Sequence, residues 1–373
     1  MCHLTKSLTQ LMGRCCHVRL RVCYATSTQR SNVIRHSAMF SSDTNHNCNN
    51  NKMTQQPCRR LATDYKLVPI NRSKMVKLWA SLAKSRLTVF VSGTALGGYV
   101  AAYTHSMGEV IPSTFLVGAV ATAVGTALCS ASANSFNHMF ESPYDAQTSK
   151  QDRPFPSGAM TYSQGFGFAL GCGVTGVGVL AAGANIGTAA LGLSNILLYA
   201  WLYTSHKRVS TWNTWTGAVV GAIPPLMGWV AAMGVSSVAC WEAWLLPLFV
   251  FSWQFPHFNA ISWKQRSGYG RAGYPMMSVT EPEKAKRVAL RHAAIILFAY
   301  TPLVYTCFAP TYWIAVPALA NLHLLYYSWK FTKFPTEKAG ILMLSTFVNL
   351  PAVMLLIIFY PVWCMLISDF FPH

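Results

Sequence analysis

Long apolar segments alternate with short polar ones over most of this chain, which has 373 residues. Nine such segments are almost free of charge, and each is long enough to cross the roughly 30 Å hydrocarbon core of a bilayer as a helix. They span residues 87–104, 111–136, 163–181, 186–203, 217–233, 241–256, 293–309, 311–328 and 339–361. The pattern therefore predicts an all-α membrane protein, a nine-helix transmembrane bundle embedded in a lipid bilayer.

Composition supports the membrane interpretation. Hydrophobic residues make up 52% of the chain and charged residues 11%, a balance outside the range of ordinary soluble domains. The net charge of +18 would suit nucleic acid, but the sequence has neither a recognition helix nor a basic sheet interleaved with aromatic residues. We therefore expect no nucleic-acid partner. Two interpretations of the positive charge remain: the basic loops lie beside anionic lipid, or they bind a polyanionic substrate.

The first 75 residues differ in kind from the rest. Residues 1–42 contain no acidic residue, and their arginines and lysine are spread among serine, threonine and apolar residues, which is typical of a mitochondrial transit peptide. A disordered basic tail that carries no targeting signal is the alternative. Residues 45–52 are rich in asparagine and are predicted to be an unstructured linker. We expect a leader and linker over residues 1–75 and a transmembrane domain over residues 76–373.

Basic residues after residue 86 occur only in the loops that follow the second, fourth, sixth and eighth apolar segments. Those loops carry the basic positions within residues 150–153, 207–208, 264–291 and 330–338. The positive-inside bias places all four loops, together with the basic lead-in over residues 74–86, on one face of the membrane. This alternation also supports an odd number of spans, with the C-terminus on the other face.

Three oxygen-bearing side chains occur at four-residue spacing where the second apolar segment ends. Asn137, Glu141 and Asp145 would lie along one stripe of a helix. Pro143 stands between the carboxylates and is expected to kink or end that helix, so that Asp145 leaves it. Carboxylate and amide oxygens without imidazole or thiolate suit Mg²⁺. The stretch therefore predicts a magnesium site; a merely polar helix end at the lipid interface is the alternative.

Two basic pairs lie near this acidic stretch or on the same predicted face. Lys150 and Arg153 follow it directly, and Lys207 and Arg208 follow the fourth apolar segment. Such cations are suited to pair with phosphate oxygens that a metal does not cover. Two prolines within residues 217–233 are tolerated in an apolar helix where the helix lines a cavity or packs on protein.

A third polar cluster follows the sixth apolar segment, within residues 253–279. It contains His257, Arg266, Tyr269 and Arg271 and is predicted to lie on the same membrane face as the other two clusters. If the helices form a bundle, the three clusters share one pocket.

Four stretches in these clusters resemble the signature regions of the intramembrane (UbiA-type) prenyltransferases, and more narrowly of the branch of that superfamily that modifies haem. They read NSFNHMFESPYDAQTSKQDRP, SHKRVSTWNTWTGAVVGAIPPLMGW, WQFPHFNAISW and GYPMMSV. The resemblance covers residues 84–361, and the N-terminal tail lies outside it. It is specific because the long KR…GAIPPLMGW and FPHF runs are particular to the haem-modifying branch.

The resemblance implies an enzyme with nine transmembrane helices that transfers farnesyl from farnesyl diphosphate to a vinyl group of haem B. It implies a mitochondrial inner-membrane location with the basic loops on the matrix side, and possible partner proteins of haem A synthesis. Catalytic roles would fall on Asn137, Glu141, Asp145, Lys207, Arg208 and Tyr269. The first three of these would hold Mg²⁺, with Glu141 standing where the superfamily more often has Asp.

Substrate binding is the role implied for Lys150, Arg153, His257, Arg266 and Arg271. The two lysine- and arginine-bearing loops would hold diphosphate, and the two arginines of the third cluster are candidates for the porphyrin carboxylates. His257 could bind haem iron, pair with a propionate or relay a proton. A histidine that only bonds the backbone is the alternative.

One departure from the family pattern concerns Gly268. Haem-modifying members usually carry Asp directly before the tyrosine of the third cluster, whereas this chain has Gly268 before Tyr269. A second metal site is therefore in doubt. Two other functions stay open at this point: a prenyltransferase that acts on an aromatic quinone precursor, and a catalytically impaired membrane protein that handles haem.

Overall fold

A computed structural model describes residues 72–106, 114–146, 153–303 and 315–368, with side chains up to residue 357 in the last range. The predicted transit peptide and the asparagine-rich linker lie outside the described residues, as does Lys150. The described part of the chain is almost entirely helical, which confirms the predicted all-α class.

Twelve helices follow one another along the described residues. They are α1 Arg72–Leu82, α2 Ser85–Ser106, α3 Phe115–Asp145, α4 Tyr162–Gly183, α5 Ile186–Leu197, α6 Asn213–Met233, α7 Leu245–Lys264, α8 Arg266–Arg271, α9 Met277–Thr280, α10 Pro282–Ile295, α11 Ala315–Lys333 and α12 Pro335–Ser368. A π-helical turn, Leu198–Tyr203, and a short turn of helix, Thr204–His206, extend α5. A second π-helical turn, Ile296–Tyr300, extends α10.

Six helices of the described residues are long and apolar enough to cross a membrane. They are Ser85–His105, Phe115–Asp145, Tyr162–Gly183, Ile186–His206, Asn213–Met233 and Pro335–Ile357. Helices α7, α10 and α11 overlap the three remaining predicted segments without meeting that criterion, so the count of nine stays a prediction. The sixth predicted segment, residues 241–256, began too early and ended too soon. Residues 241–244 form a 3₁₀ turn, and α7 extends to Lys264, so the polar residues after position 256 belong to the same helix.

Large apolar side chains on the outer surface fit a lipid environment. Val174, Ile186 and Trp201 are 67–76% exposed although they lie in two of the candidate spans. Exposed apolar residues in such number would be unfavourable in water but not in hydrocarbon, which is as apolar as the side chains themselves.

Helices α2 and α6 cross at close range. A Cβ atom added to Gly98 would lie 2.0 Å from the carbonyl oxygen of Pro225, and one added to Gly228 would lie 1.8 Å from that of Ala95. Small residues at a helix crossing allow the two backbones to approach and gain dispersion contacts, which replace the hydrophobic effect as the main attraction inside a membrane. Pro224, the neighbour of Pro225, lines the cavity described below.

Polar groups of several connections meet at one end of the bundle. Lys84 between α1 and α2, Arg153 after α3 and Lys207 after α5 all contact polar side chains of α3 there. His105, in the last turn of α2, and Glu242, in the connection before α7, lie 3.9 Å apart at the other end. The end that gathers the three cations is called the basic end below, and it contains the candidate site.

We expect Gly98→Ala to lower the free energy of unfolding by about 1–3 kcal/mol, because the added methyl overpacks the α2–α6 crossing. Gly93→Ala on the same helix is the matched control, since no atom lies within 4 Å of the added carbon. That control should be neutral or stabilise by up to about 1 kcal/mol through the lower entropy of the unfolded chain. Thermal unfolding of the detergent-solubilised proteins measures the difference, and equal transition temperatures for both variants would contradict the close crossing.

Candidate active site

A buried ion pair between Glu141 and Lys207 forms the centre of the candidate site. Glu141 is on the last turns of α3, and Lys207 follows the helical extension of α5. Lys207 Nζ lies 2.7 Å from Glu141 Oε1, and both residues are less than a tenth exposed. Charges removed from water to this extent are stable only when paired, so each group holds the other in place.

Arg153 joins this pair to the second carboxylate of the predicted motif. Its Nη1 donates a 2.5 Å hydrogen bond to Asp145 Oδ2 and lies 3.5 Å from Glu141 Oε2. Asp145 is buried on the same stripe of α3, because the helix continues through Pro143 to Asp145. The prediction that Asp145 leaves the helix was therefore wrong. A proline this close to the C-terminal end removes one hydrogen bond and leaves the final turn in place.

Asn137 links the ion pair to a residue far away in sequence. Its amide nitrogen donates to Glu141 Oε1 at 2.9 Å and to Thr204 Oγ1 at 3.1 Å. Its amide oxygen accepts a 2.8 Å hydrogen bond from Lys84 Nζ, which also lies 3.3 Å from the hydroxyl of Tyr199. Both ends of the Asn137 amide are thus used, and its orientation is fixed.

Lys84 occupies an unusual backbone position at the turn between α1 and α2. Its φ angle of 48° is in the left-handed region, where a residue other than glycine is uncommon. The turn is held by hydrogen bonds to the carbonyl of Ala83 from Thr88 Oγ1 at 2.8 Å and Asn134 Nδ2 at 3.3 Å. Burial of the ammonium lowers the pKa of Lys84 to about 7, although Glu141 opposes the shift. Near neutral pH this amine therefore exists in both charge states.

Lys207 differs from Lys84 in charge state. Burial alone would lower the pKa of Lys207, but the neighbouring Glu141 carboxylate more than offsets this and holds that pKa well above its usual range. Its ammonium lies 5.2 Å from the ring centre of Tyr274 and 6.0 Å from that of Tyr269, distances at which aromatic rings attract a cation. Lys207 is therefore a permanent cation in a setting of buried phenols.

The π-helical turn Leu198–Tyr203 determines where Lys207 points. A π turn adds one residue to a helix and often occurs at functional sites. Here Thr204 Oγ1 donates to the carbonyl of Tyr199, five residues earlier, at 2.9 Å. The rings of Tyr199 and Tyr203 stack with their centres 5.2 Å apart, both beside the charged cluster. The turn thus brings two tyrosines, Thr204 and Lys207 to the stripe of α3 that carries the carboxylates.

An apolar cavity of about 630 Å³ adjoins the charged cluster. Tyr199 and Tyr203 line it beside the cluster, and Arg86, Phe90, Met227, Trp253, His257 and Phe347 are among its other lining residues. Helices α2, α3, α5, α6, α7 and α12 contribute to its wall. A polar, cationic entrance followed by an apolar chamber suits a molecule with an anionic head and a hydrocarbon body.

Other predicted site residues are placed less uniformly. Arg208 is exposed, and its guanidinium lies 3.8 Å from the ring centre of Tyr144. Tyr269 is buried beside Lys207. Arg266 and Arg271 are exposed on α8 and do not line the cavity, so the structure does not bring them to the pocket that the sequence predicted for them. Arg266 instead lies 5.1 Å from the ring centre of Trp263.

Gly268, at the departure from the family pattern, is in open space. No atom lies within 4 Å of a Cβ added there, so an aspartate is sterically acceptable. In this part of the described chain, Glu141 and Asp145 are the carboxylates that the ion pairs bring together.

Four residues of this cluster were not identified from the sequence: Lys84, Tyr199, Tyr203 and Tyr274. A weak signal was present for two of them, because Tyr199, Tyr203 and Lys207 follow one another at four-residue spacing. Lys84 and Tyr274 are separated from the motif residues they approach by turns and loops, which have no periodic pattern.

The oxygen atoms of the cluster fit a magnesium ion held jointly with a substrate. Arg153 Nη1 lies within 3.5 Å of one oxygen from each carboxylate, so a single position is within reach of both. In the part of the chain that the structure describes, no group of three or more His, Cys, Asp or Glu could hold a metal by itself. Mg²⁺ commonly takes one or two carboxylates, several waters and substrate phosphates, and the two carboxylates satisfy that requirement. The amide oxygen of Asn137 accepts a hydrogen bond from Lys84 instead.

Comparison with known sequences identifies a family for most of the chain. The sequence profile of the UbiA prenyltransferase family matches residues 91–351. Mitochondrial protoheme IX farnesyltransferases from Pongo abelii and Homo sapiens are each 46% identical over 228 residues. The aligned part is 60% of this chain and 49% of each relative, so the chain spans about half the length of the curated relatives it matches.

Solved structures show the same fold at low sequence identity. A UbiA homologue from Aeropyrum pernix K1, in its apo form, is 16% identical with a TM-score of 0.59; the alignment covers 77% of this chain and 98% of that one. A UbiA homologue from Archaeoglobus fulgidus bound to DMAPP and Mg²⁺ is 12% identical with a TM-score of 0.51, over 75% of this chain and 98% of that one. Both likenesses concern the fold.

We expect Lys207→Met to lower the free energy of unfolding by about 3–5 kcal/mol, because it leaves the Glu141 carboxylate buried without its nearest cation. Arg208→Met, at the next position, is the matched control. It removes an exposed cation and a contact to Tyr144, and should cost at most about 1 kcal/mol. Denaturant or thermal unfolding in detergent measures both variants, and a similar loss in each would disprove the buried ion pair as the main interaction of Lys207.

Proposed function

This chain belongs to the UbiA prenyltransferase family, and we propose that it transfers a farnesyl group from farnesyl diphosphate to a vinyl group of haem B, giving haem O. The observation that carries the proposal is the pair of buried carboxylates surrounded by cations at the end of an apolar cavity. The 46% identical relatives are protoheme IX farnesyltransferases, which supports the choice of farnesyl and haem as substrates.

Glu141 and Asp145 would hold Mg²⁺ together with the diphosphate, and Asn137 would join them once Lys84 releases its amide oxygen. When bound, the ion supplies positive charge that stabilises the pyrophosphate as it leaves. The Mg²⁺ bound to a homologue of the same fold supports this assignment. Arg153 donates a hydrogen bond to Asp145 and forms an ion pair with Glu141, and it would exchange these partners for phosphate oxygens, with which a guanidinium pairs equally well.

The cations of the cluster act on the leaving group. As the bond between farnesyl C1 and oxygen breaks, its electron pair goes to the pyrophosphate oxygen, where negative charge builds. Lys207 and Arg153 would neutralise that charge, as would Lys84 when protonated, and each is already positioned before substrate binds. Lys150, which lies outside the described residues, and the exposed Arg208 are candidates for holding the outer phosphate.

The apolar cavity would house the farnesyl chain and exclude water from the allylic cation until the acceptor is in place. The vinyl group of haem then attacks C1 through its terminal carbon, which leaves a cation beside the porphyrin ring. Water adds to that carbon and loses a proton, giving a hydroxyethylfarnesyl substituent. Three tyrosines border the charged cluster or the cavity: Tyr199, Tyr203 and Tyr269. The faces of their phenol rings are suited to stabilise the carbocations that form during the reaction.

The proposal includes a place in the cell. A basic leader over residues 1–75, the mitochondrial relatives and the apolar helices support a multi-pass protein of the mitochondrial inner membrane. The basic end would face the matrix, in agreement with the positive-inside bias. Proteins that carry haem O onward to haem A are the expected partners. The two arginines of α8, Arg266 and Arg271, would then meet porphyrin carboxylates only at the entrance, because they lie outside the cavity.

Haem O formation from haem B, farnesyl diphosphate and Mg²⁺ by the purified protein in detergent, followed by mass, tests the function. We expect the parent to make haem O and Asp145→Asn to lower the rate by about 100-fold or more, because several kcal/mol of leaving-group stabilisation is lost. Glu281→Gln is the control, since the Glu281 side chain is 40% exposed and forms a surface ion pair with Lys284, three residues along the chain. That variant should stay within about twofold of the parent.

The Gly268→Asp variant separates the proposed reaction from the alternatives. We expect it to fold and to change the rate by less than about tenfold, because two carboxylates already satisfy the metal. No product from the parent, but product from Gly268→Asp, would mean that the chain keeps the scaffold and lacks a catalytic carboxylate. Product from an aromatic quinone precursor but not from haem would overturn the assignment of the acceptor.

A further inference from the structure

Among the described residues that line the cavity, the one histidine is His257. Aromatic side chains pack against its ring on several sides. It stacks on Trp253 with ring centres 4.7 Å apart and an interplanar angle of 18°. The ring of Phe347 meets it edge-on at 5.0 Å. The residue is only 9% exposed, so little rotation is available to the ring.

A hydrogen-bond chain on α12 fixes which nitrogen of His257 carries the proton. Thr346 Oγ1 lies 2.6 Å from the carbonyl oxygen of Met343, and the threonine must donate there because a carbonyl only accepts. A hydroxyl has one proton, so the 2.7 Å contact between Thr346 Oγ1 and His257 Nδ1 requires Nδ1 to donate. The proton is therefore on Nδ1.

The second ring nitrogen is left with a lone pair. His257 Nε2 makes no hydrogen bond with any residue that the structure describes. It is not one of the fully buried polar atoms either, so the nitrogen remains accessible. A neutral imidazole whose Nδ1 donates to a fixed acceptor is the usual form of a histidine metal ligand. A neutral imidazole carries no charge and cannot form an ion pair with a propionate. Of the three roles considered for His257 from the sequence, pairing with a propionate is therefore removed.

We infer that His257 binds the iron of haem through Nε2 and that Thr346 is a positioning residue that keeps the imidazole in the ligating tautomer. The inference deepens the proposed function and rests on it, since it names the group that holds the acceptor. Farnesyl diphosphate and haem would then be fixed independently, the former by the charged cluster and the latter by α7 and α12. The vinyl group would be oriented toward C1 by an iron bond rather than by the exposed arginines of α8.

The test is an absorption titration of the purified full chain in detergent with ferric haem B, alongside metal-free protoporphyrin IX. The parent should give the spectrum of nitrogen-ligated haem. His257→Ala should lose that spectrum and regain it when imidazole is added. Its affinity for the metal-free porphyrin should stay within about twofold of the parent, because the other apolar side chains of the cavity still pack against the porphyrin ring. His323→Ala, at an exposed histidine of α11 outside the cavity lining, is the control and should match the parent.

Thr346 is tested by a pair of variants with opposite expectations. Thr346→Val keeps the shape and removes the hydroxyl, and should weaken haem binding by about 10–100-fold, the usual effect of losing a partner of a ligating histidine. Thr346→Ser keeps the hydroxyl and should restore the parent affinity. A nitrogen-ligated spectrum that survives in His257→Ala without imidazole, or equal haem affinity in Thr346→Val and the parent, would overturn the inference.

Parallel assays of haem O separate this inference from the proposed function. If the parent binds haem through His257 but makes no haem O under any condition, the proposed reaction is wrong and the haem site stands. If the parent makes haem O and His257→Ala keeps the parent spectrum, the reaction stands and the iron ligand is wrong.

Discussion

Burying charge at one end of an apolar bundle is the constraint on which this structure depends. Glu141 and Asp145 could not remain ionised on the last turns of α3 unless cations reached them, because an unpaired ion in such a setting costs several kcal/mol. Arg153 and Lys207 pair with the carboxylates directly, and Lys84 reaches the cluster through Asn137, each from a separate connection. The connections therefore have to converge, and their convergence fixes the relative positions of α1, α3 and α5.

The same constraint explains why the site is ready for an anionic substrate. With both carboxylates ionised and all three cations protonated, the five groups sum to one positive charge. Burial lowers the pKa of Lys84 to about 7, so this lysine holds its proton only partly near neutral pH. A diphosphate adds negative charge beside these cations and gives each a new partner. The apolar cavity behind the cluster cannot take such a group, so an amphiphilic molecule can enter in one direction only, with its charged end held at the basic end.

The sequence predicted those parts of the site that follow from periodicity within one segment. The four-residue spacing of Asn137, Glu141 and Asp145 placed them on one stripe, and the alternation of basic and neutral loops predicted the basic end. Helix α3 continues through Pro143 because the proline is one turn from the end, which spacing alone does not reveal. Contacts between distant segments had no signal: Lys84 reaches Asn137 through a left-handed turn, and residue 346 reaches its histidine partner across 89 positions.

The π-helical turn Leu198–Tyr203 has a consequence for how such chains can diverge. One residue more or less in an α-helix rotates everything beyond it by about 100°, so the single-residue surplus of the turn is what aims Lys207 at Glu141. Substitutions at positions other than Tyr199 and Tyr203 are tolerated there as long as the surplus is kept, whereas a deletion would turn the lysine toward lipid. In an alignment of homologous chains, the other positions of this segment should therefore vary in residue type while its length stays constant, the reverse of what surface loops do.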